Sequence, residues 1–400
     1  MKARGGGGGA RRQQHAIAVA VRLRPSASAA VGVAEGGAVE VGGRQFRFAS
    51  SVVGGSDQAL AYEAIAAPLV DGLQQGFSCC LLAYGQTGSG KTHTMFGPPG
   101  CLTEAALGAA GGGVPEPWGI FPRTVLRLLG APGLGSLHAS AVEVYQDKAY
   151  DLLADRAPLT VGSAKKGVVV GAGKGKPLII GNKNAETVAG AHPPGCRCGA
   201  CWKANKEALA ARLAKRDGGG RPAARARGAT SGGAGGADNE QFATVGETLV
   251  TLKTPSDVAR LARTVEATRV ATGHALNARS SRSHCLVHLH LVQRSGTTVS
   301  KRQLLFVDLA GSERTARTGV EGAAKQQATA INGSLTALGK VIRALGARAA
   351  HVPYRDSTLT MLLRSAFGGR SKTAVVRPPQ VASRPRGPCL LTASSFRLGR

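Results

Sequence analysis

A glycine-rich loop at residues 85–92 most constrains what this chain can fold into and bind. Every defined position of G-x-x-x-x-G-K-[ST] is filled there, and closely spaced glycines let the backbone aim successive N–H groups at phosphate oxygens. An apolar run at 77–84 precedes the loop and a helix-compatible run at 92–96 follows it, which argues against a chance match in a chain with 57 glycines. The residues predicted to bind nucleotide phosphates are Gly85, Gln86, Thr87, Gly88, Ser89, Gly90, Lys91 and Thr92. Lys91 is expected to reach the β- and γ-phosphates, and Thr92 to hold Mg²⁺.

Composition limits the class of protein. A chain of 400 residues with 43% hydrophobic content can bury a core large enough for one large α/β domain or two ordinary ones. The net charge of +28 implies an acidic partner, which charge alone leaves open among nucleic acid, an anionic membrane and an acidic protein surface. The eight cysteines form no even framework, and no apolar stretch approaches the roughly 18 residues of a membrane span. We expect a soluble protein of a reducing compartment.

Segments of biased composition divide the chain. Residues 1–14 are basic and glycine-rich and predict a flexible arm, whereas residues 15–376 are predicted to form the folded domain. Within it, residues 163–240 form a low-complexity insertion with 14 basic and five acidic residues, a net charge of +9. Residues 377–400 are basic and proline-rich and predict a disordered tail.

Hydrophobic periodicity predicts a doubly wound sheet around the loop. Strands are expected at 15–23, 77–84, 141–145, 151–153, 286–292 and 304–307, the last of them buried and central. Helices are expected at 62–73, 119–129 and 256–272. A last strand begins at 372–376, where residues 377–379 are expected to interrupt it and to leave an uncovered sheet edge.

Two further segments suit a nucleotide site. Residues 277–284 place hydroxyl and cationic side chains in a row after a helix, as in a loop that senses a γ-phosphate and its metal. Asp308 ends the buried strand at 304–307, and Gly311 follows three residues later. That is the Walker B position for a carboxylate linked to Mg²⁺, with a flexible amide available to a γ-phosphate.

Together these segments resemble a kinesin motor domain. The matches run in the family's order and cover most of the chain outside the insertion and the two tails. They are Arg22-Leu23-Arg24-Pro25, 84–92, Glu143-Val144-Tyr145, 277–284, 308–313, 331–339, 353–357 and Phe367-Gly368-Gly369. The resemblance implies an α/β fold of the kinesin-type P-loop NTPase kind, in which a central mixed sheet that contains mostly parallel strands is flanked by helices on both faces.

The resemblance also implies roles for particular residues in ATP binding and hydrolysis. Those expected to frame the adenine are Arg22, Arg24, Pro25 and His93. Ser280 and Ser281 would approach the γ-phosphate and Mg²⁺, and Gly311 would donate its amide to the γ-phosphate. Arg282 and Glu313 would form a gate that closes one switch loop on the other, since their charge-assisted bond forms only when the loops meet. The expected Mg²⁺ ligands, direct or through water, are Thr92, Ser281 and Asp308.

On the track side the resemblance implies binding to the acidic surface of microtubules, and with it a place in the cytoplasm on the microtubule cytoskeleton. The residues expected to face the microtubule are Arg314, Arg317, Arg343, Arg355 and Arg364. Thr358, Met361 and Gln327 depart from the family's usual Lys, basic and Glu residues. The basic insertion falls near the loop that contacts tubulin in kinesins and could strengthen an electrostatic grip.

Alternatives stay open at this level. A non-motile protein that binds microtubules under nucleotide control shares all of these motifs, and the expected interruption after Val376, with no neck or final helix behind it, predicts poor stepping. A nucleic-acid-binding P-loop protein is supported by net charge alone. His192, Cys196, Cys198 and Cys201 offer four possible zinc ligands in the insertion, although their C-x-C step is tighter than usual and free thiols are the alternative.

Overall fold

The structure, a computed structural model, describes residues 17–23, 31–34, 38–41, 44–46, 52–164, 168–170, 178–180, 241–270, 281–295, 298–312, 323–367 and 371–377. The strands within these ranges are β1 (Ala18–Arg22), β2 (Val31–Ala34), β3 (Ala38–Val41), β4 (Arg44–Phe46), β5 (Val52–Val53), β6 (Ser78–Ala83), β7 (Leu134–Tyr145), β8 (Lys148–Asp151), β9 (Ala157–Ala164), β10 (Val168–Val170), β11 (Leu178–Ile180), β12 (Gln241–Val245), β13 (Val250–Leu252), β14 (His284–Ser295), β15 (Thr298–Asp308) and β16 (Ser371–Arg377). The helices there are α1 (Gln58–Ile65), α2 (Ala67–Gln74), α3 (Lys91–Met95), α4 (Glu104–Ala109), α5 (Ile120–Leu129), α6 (Pro255–Val270), α7 (Ala323–Gly346), α8 (Thr358–Leu362) and α9 (Arg364–Phe367), with a 3₁₀ turn at Tyr354–Asp356.

One mixed sheet organises the described residues, in the order β12-β9-β8-β7-β14-β15-β6-β16-β1-β5, and β13 pairs with β7. Its parallel half runs from β15 through β6, β16 and β1 to β5, and the pairs from β12 to β15 are antiparallel. Strands β2, β3 and β4 form a small separate sheet, and β10 pairs with β11. The predicted mixed sheet is confirmed, with its parallel strands gathered in one half.

Side chains that alternate along the central strands pack into two apolar cores, one on each face of the sheet. Leu304 and Phe306 of β15 join the core that α1, α2, α5 and α6 cover. Leu305 and Val307 point to the opposite core, which α7, α8 and α9 cover. All four side chains are almost fully buried, which is why the 304–307 segment reads as one apolar run. The predicted burial of this strand and the helices on both faces are confirmed.

Three expectations from the sequence need correction. Leu152 and Leu153 lie in a turn after β8, so the expected strand at 151–153 is wrong beyond Asp151. The pattern at 62–73 belongs to two helices, since a new helix starts at Ala67 with Pro68 in its first turn. The last strand is not an edge: β16 continues to Arg377 and lies between β6 and β1, with Val376 opposite both Ala83 and Ala20.

The insertion joins two neighbouring strands. Strands β9 and β12 are antiparallel, and Ala164 lies opposite Gln241. Residues 163 and 164, which we expected to open the insertion, belong to β9. Residues 181–240 lie outside the described residues, as do the predicted arm at 1–14 and the tail beyond Arg377.

Candidate functional site

The glycine-rich loop has the predicted strand–loop–helix setting. Strand β6 is buried in the parallel half of the sheet, and α3 begins at Lys91 directly after Gly90. Gly88 and Gly90 have φ of +76° and +97°, a left-handed backbone that favours glycine. Lys91 is only 8% exposed, and its Nζ donates to the carbonyl oxygens of Gly85 (2.9 Å) and Gln86 (2.8 Å). The lysine therefore holds its amine inside the curve of the loop.

Asp308 lies beside this loop at the end of β15, as the Walker B prediction requires. Its Oδ2 accepts a hydrogen bond from Thr92 Oγ1 (2.7 Å) and forms an ion pair with Arg269 Nη1 (3.1 Å). Its other oxygen, Oδ1, is buried and has no hydrogen-bond partner among the described residues. A hydroxyl beside a carboxylate with a spare oxygen is the donor set that Mg²⁺ prefers. Thr92 and Asp308 thus fit the magnesium site expected of them.

Four consecutive backbone amides after Asp308 each donate to a different partner. Leu309 N donates to Ala83 O (3.2 Å) and Ala310 N to His284 Nδ1 (3.0 Å). Gly311 N donates to Ser281 O (2.9 Å), and Ser312 N to Gly85 O (3.1 Å). The segment at 309–312 therefore connects strand β6, the loop before β14 and the phosphate loop. Gly311, expected to donate to a γ-phosphate, donates here to Ser281.

The two loops predicted to act as switches meet at this backbone contact between Gly311 and Ser281. Arg282 is half-buried beside Ser281. Ser280 and Glu313 lie outside the described residues, so the gate between Arg282 and Glu313 stays a prediction.

Arg22, one of the residues expected around the adenine, is buried behind the loop and belongs to a hydrogen-bonded network that reaches the exposed His93. Arg22 is 4% exposed, and its guanidinium donates to Gln58 Oε1 (2.7 Å) and Ser56 O (3.0 Å). Gln58 Nε2 in turn donates to His93 O (2.9 Å). Arg22 and His93 are therefore joined through Gln58, and their contact with adenine stays a prediction. Arg24 and Pro25 lie outside the described residues.

Sequence reasoning missed Arg269 and Gln58 and gave His284 no role. Arg269 falls four residues after Val265, on the apolar stripe of α6, where a charge needs a buried partner. That misplaced charge was the available signal. Gln58, the first residue of α1, carries no comparable signal in the sequence.

The arginines expected on the microtubule face differ in exposure. Arg343 and Arg355 are exposed, whereas Arg364 is half-buried. The guanidinium carbon of Arg364 lies 5.1 Å from the Tyr354 ring centroid, and Arg355 and Arg364 each lie 5.7 Å from that of Phe242. The structure thus gathers Arg355 and Arg364 around one aromatic ring of β12. Arg314 and Arg317 lie outside the described residues.

Two of the departures from the family pattern, Thr358 and Met361, line a cavity of about 370 Å³ between β8, β9 and α8. Thr358 N donates to Asp147 Oδ1 and its hydroxyl to Asp147 O, both at 2.7 Å. Thr358 is therefore buried against the turn between β7 and β8, at a position where kinesins commonly carry a lysine.

His192, Cys196, Cys198 and Cys201 lie outside the described residues, so the zinc prediction is not tested there. Across the part of the chain that the structure describes, no three His, Cys, Asp or Glu side chains are grouped to hold a metal ion. The same part contains no helix with the length and apolar character needed to cross a membrane.

A glycine-rich loop between a buried strand and a helix, with a Walker B carboxylate on the neighbouring strand, defines a P-loop nucleotide-binding protein. The kinesin motor domain family matches residues 12–184 and 236–383. The chain belongs to the kinesin family, as its motifs predicted.

Known relatives agree with this assignment. Kinesin-like protein KLP1 of Chlamydomonas reinhardtii is 29% identical, over 90% of this chain and 39% of its own length. Kinesin-like protein KIN-4A of Arabidopsis thaliana is 31% identical, over 84% of this chain and 29% of its own length. The chain thus spans well under half of these curated relatives. A solved structure of a fast kinesin superposes with a TM-score of 0.65 at 24% identity, covering 96% of this chain and 90% of that one, which supports the fold.

Proposed function

We propose that this chain binds Mg-ATP, hydrolyses it, and couples the state of the nucleotide to microtubule binding and microtubule-based movement. The observation that carries the proposal is the Thr92–Asp308 hydrogen bond of 2.7 Å beside the phosphate loop. It joins residues 216 positions apart at the edge where the parallel strands β6 and β15 end. Nucleotides bind at that edge in sheets of this kind.

Each part of the site has a task in this proposal. The loop amides and Lys91 bind the phosphates, and Thr92, Ser281 and Asp308 hold the metal directly or through water. When bound, Mg²⁺ neutralises charge on the phosphate oxygens. Arg269 keeps the buried Asp308 carboxylate paired and oriented. Gly311 exchanges the Ser281 carbonyl for the γ-phosphate, and Arg282 meets Glu313 as the switch loops close.

The track-binding part of the proposal places Arg343 and Arg355, with Arg314 and Arg317, against the acidic surface of tubulin. The exposed side chains of Arg343 and Arg355 support it. Arg364 would act mainly by stacking on Tyr354 and Phe242, so its replacement should cost packing as well as charge. A microtubule-bound motor works in the cytoplasm on the cytoskeleton.

ATP turnover with and without microtubules tests the proposal. The chain should hydrolyse ATP faster when microtubules are added, and it should co-sediment with them more strongly in a non-hydrolysable analogue than in ATP. Lys91→Ala should abolish nucleotide binding, and Glu313→Ala should retain binding while turnover stops. Turnover that both variants leave unchanged would refute the ATPase assignment. Tighter binding to DNA than to microtubules would favour the nucleic-acid alternative, and a gliding assay separates a motor from a non-motile binder.

A further inference from the structure

His284 joins three elements that surround the candidate nucleotide site. It is the first residue of β14 and is 2% exposed. Its Nδ1 accepts a hydrogen bond from Ala310 N (3.0 Å), and its Nε2 lies 2.8 Å from Ser334 Oγ in the middle of α7. One imidazole ring therefore links the backbone at Ala310 to the side chain of Ser334 on helix α7.

The geometry determines the tautomer of this ring. Because Nδ1 accepts from an amide, the proton of a neutral imidazole is on Nε2, which then donates to the Ser334 hydroxyl. Burial, and then the positive charges of Arg269 and Lys91, lower the pKa of His284 to about 3. The ring stays neutral at ordinary pH and keeps the same donor and acceptor.

The amide bound by His284 belongs to the segment at 309–312. The amides on either side of Ala310 donate to β6 and to Ser281, and that of Ser312 donates to the phosphate loop. A displacement of Gly311 toward a γ-phosphate would move its neighbour Ala310. His284 would carry that displacement to Ser334, because a ring of fixed length joins the two.

We propose that His284 is a positioning residue that couples the segment at 309–312 to helix α7 through Ser334. The proposal rests on the proposed function, since it needs nucleotide at the loop. It assigns the coupling to two hydrogen bonds on one side chain. Arg343 lies nine residues further along α7, so the helix that receives the displacement also carries an exposed arginine of the predicted microtubule face.

Hydrogen exchange in the full chain tests the proposal without microtubules. The measured quantity is the change in exchange at residues 332–346 when a non-hydrolysable ATP analogue is added. Ser334→Ala removes the acceptor on α7, and His284→Asn keeps an oxygen near the Nδ1 position but has no atom at Nε2. In either variant we expect nucleotide affinity to stay close to that of the parent chain and the change in α7 to shrink about fivefold or more. The double variant should show no further loss, because both substitutions break the same link.

His288→Asn is the matched control. His288 lies four residues after His284 on strand β14, on the same face of the sheet. It is 6% exposed, and its Nδ1 has no hydrogen-bond partner among the described residues. It should leave the exchange response of α7 intact. An unchanged response in Ser334→Ala and His284→Asn, or an equal loss in His288→Asn, would overturn the coupling. A parent chain that binds the analogue with no change in α7 would overturn the coupling alone, whereas one that does not bind it would overturn the proposed function as well.

Discussion

At the scale of single residues, the fold holds charges in buried ion pairs, one of them at the candidate site. Asp308 and Arg269 have side chains that are 2% and 5% exposed, and Glu143 pairs with Arg156 at 2.8 Å with its own side chain fully buried. A buried charge that loses its partner is strongly destabilising, because the remaining ion has neither water nor a counter-ion. The site therefore has little tolerance for the removal of one member.

Arg269→Met should lower the free energy of unfolding by about 3–5 kcal/mol, because it leaves the Asp308 carboxylate buried and unpaired. Urea unfolding gives the value. Arg260→Met is the control on the same helix: Arg260 is 68% exposed and pairs with Asp257, so the change should stay within about 1 kcal/mol. Equal losses in the two variants would show that the Arg269–Asp308 pair has no special weight.

A close backbone contact at Gly119 gives a second test at this scale. A Cβ at Gly119 would lie 2.7 Å from Met95 C, Phe96 C and Gly97 N, at the end of α3. Backbone atoms cannot yield as a side chain can, so Gly119→Ala should cost about 1–3 kcal/mol and displace the helix that carries Lys91 and Thr92. Gly130→Ala, whose nearest contact is 3.8 Å from Arg127 O, should be nearly neutral. Thermal unfolding with and without nucleotide distinguishes the two variants.

At the scale of elements, strand β14 is rich in buried histidines. Burial lowers the pKa of His288 to about 4 and that of His290 well below its usual value, and burial with nearby cations lowers that of His284 to about 3. In the unfolded chain they titrate near pH 6.5, at about the usual value. Below that pH the unfolded chain binds protons that the folded chain cannot, so the free energy of unfolding decreases as the pH is lowered.

Glu247 opposes this trend. Burial raises its pKa to about 7, so between pH 7 and about 4.5 the folded chain binds a proton that the unfolded chain does not. The balance near pH 5.5 is about two protons in favour of the unfolded state, so the free energy of unfolding should fall by about 2.5 kcal/mol for each pH unit by which the pH is lowered. Urea midpoints between pH 7 and pH 5 measure it. His288→Asn should reduce the dependence of stability on pH by about one proton. His351→Asn, which replaces an exposed histidine, should not change that dependence. A stability that does not vary with pH in the parent chain would contradict the buried, neutral state of these histidines.

The elements also show what sequence can predict. The phosphate loop, the buried strand at 304–307 and the Walker B carboxylate are local patterns, and all lie where the sequence placed them. The errors have physical causes. Leu152 lies in a turn but its side chain is fully buried, so the sequence shows an apolar residue there as it would in a buried strand. The place of β16 between β6 and β1, and the Arg269–Asp308 pair, depend on sheet order and strand register, which no short stretch of residues encodes.

At the scale of the whole molecule, the insertion adds positive charge without changing the order of the strands in the sheet, because it lies between two strands that pair with each other. Residues 165–240, which include the separate β10–β11 pair, connect two paired strands, so a two-residue Asn-Gly turn can join Ala164 to Gln241 directly. The shortened chain should unfold within about 1 kcal/mol of the parent chain, because loop length affects stability only weakly. Its net charge falls from +28 to +19, and the microtubule binding that we propose should weaken and depend less on salt. Loss of folding would show that the insertion is structurally required, and an unchanged salt dependence would show that its charge plays no part in binding.

The pairing of Ala164 with Gln241, across strands β9 and β12, has a practical consequence. Facing residues in an antiparallel pair have Cα atoms about 5 Å apart, so any polypeptide whose two ends can approach that closely can be grafted there without moving a strand. A small fluorescent domain inserted between these two residues would be joined to the sheet by two short linkers. It would report on the orientation of the domain in any larger assembly, from a position at the opposite end of the strand order from β1 and β5.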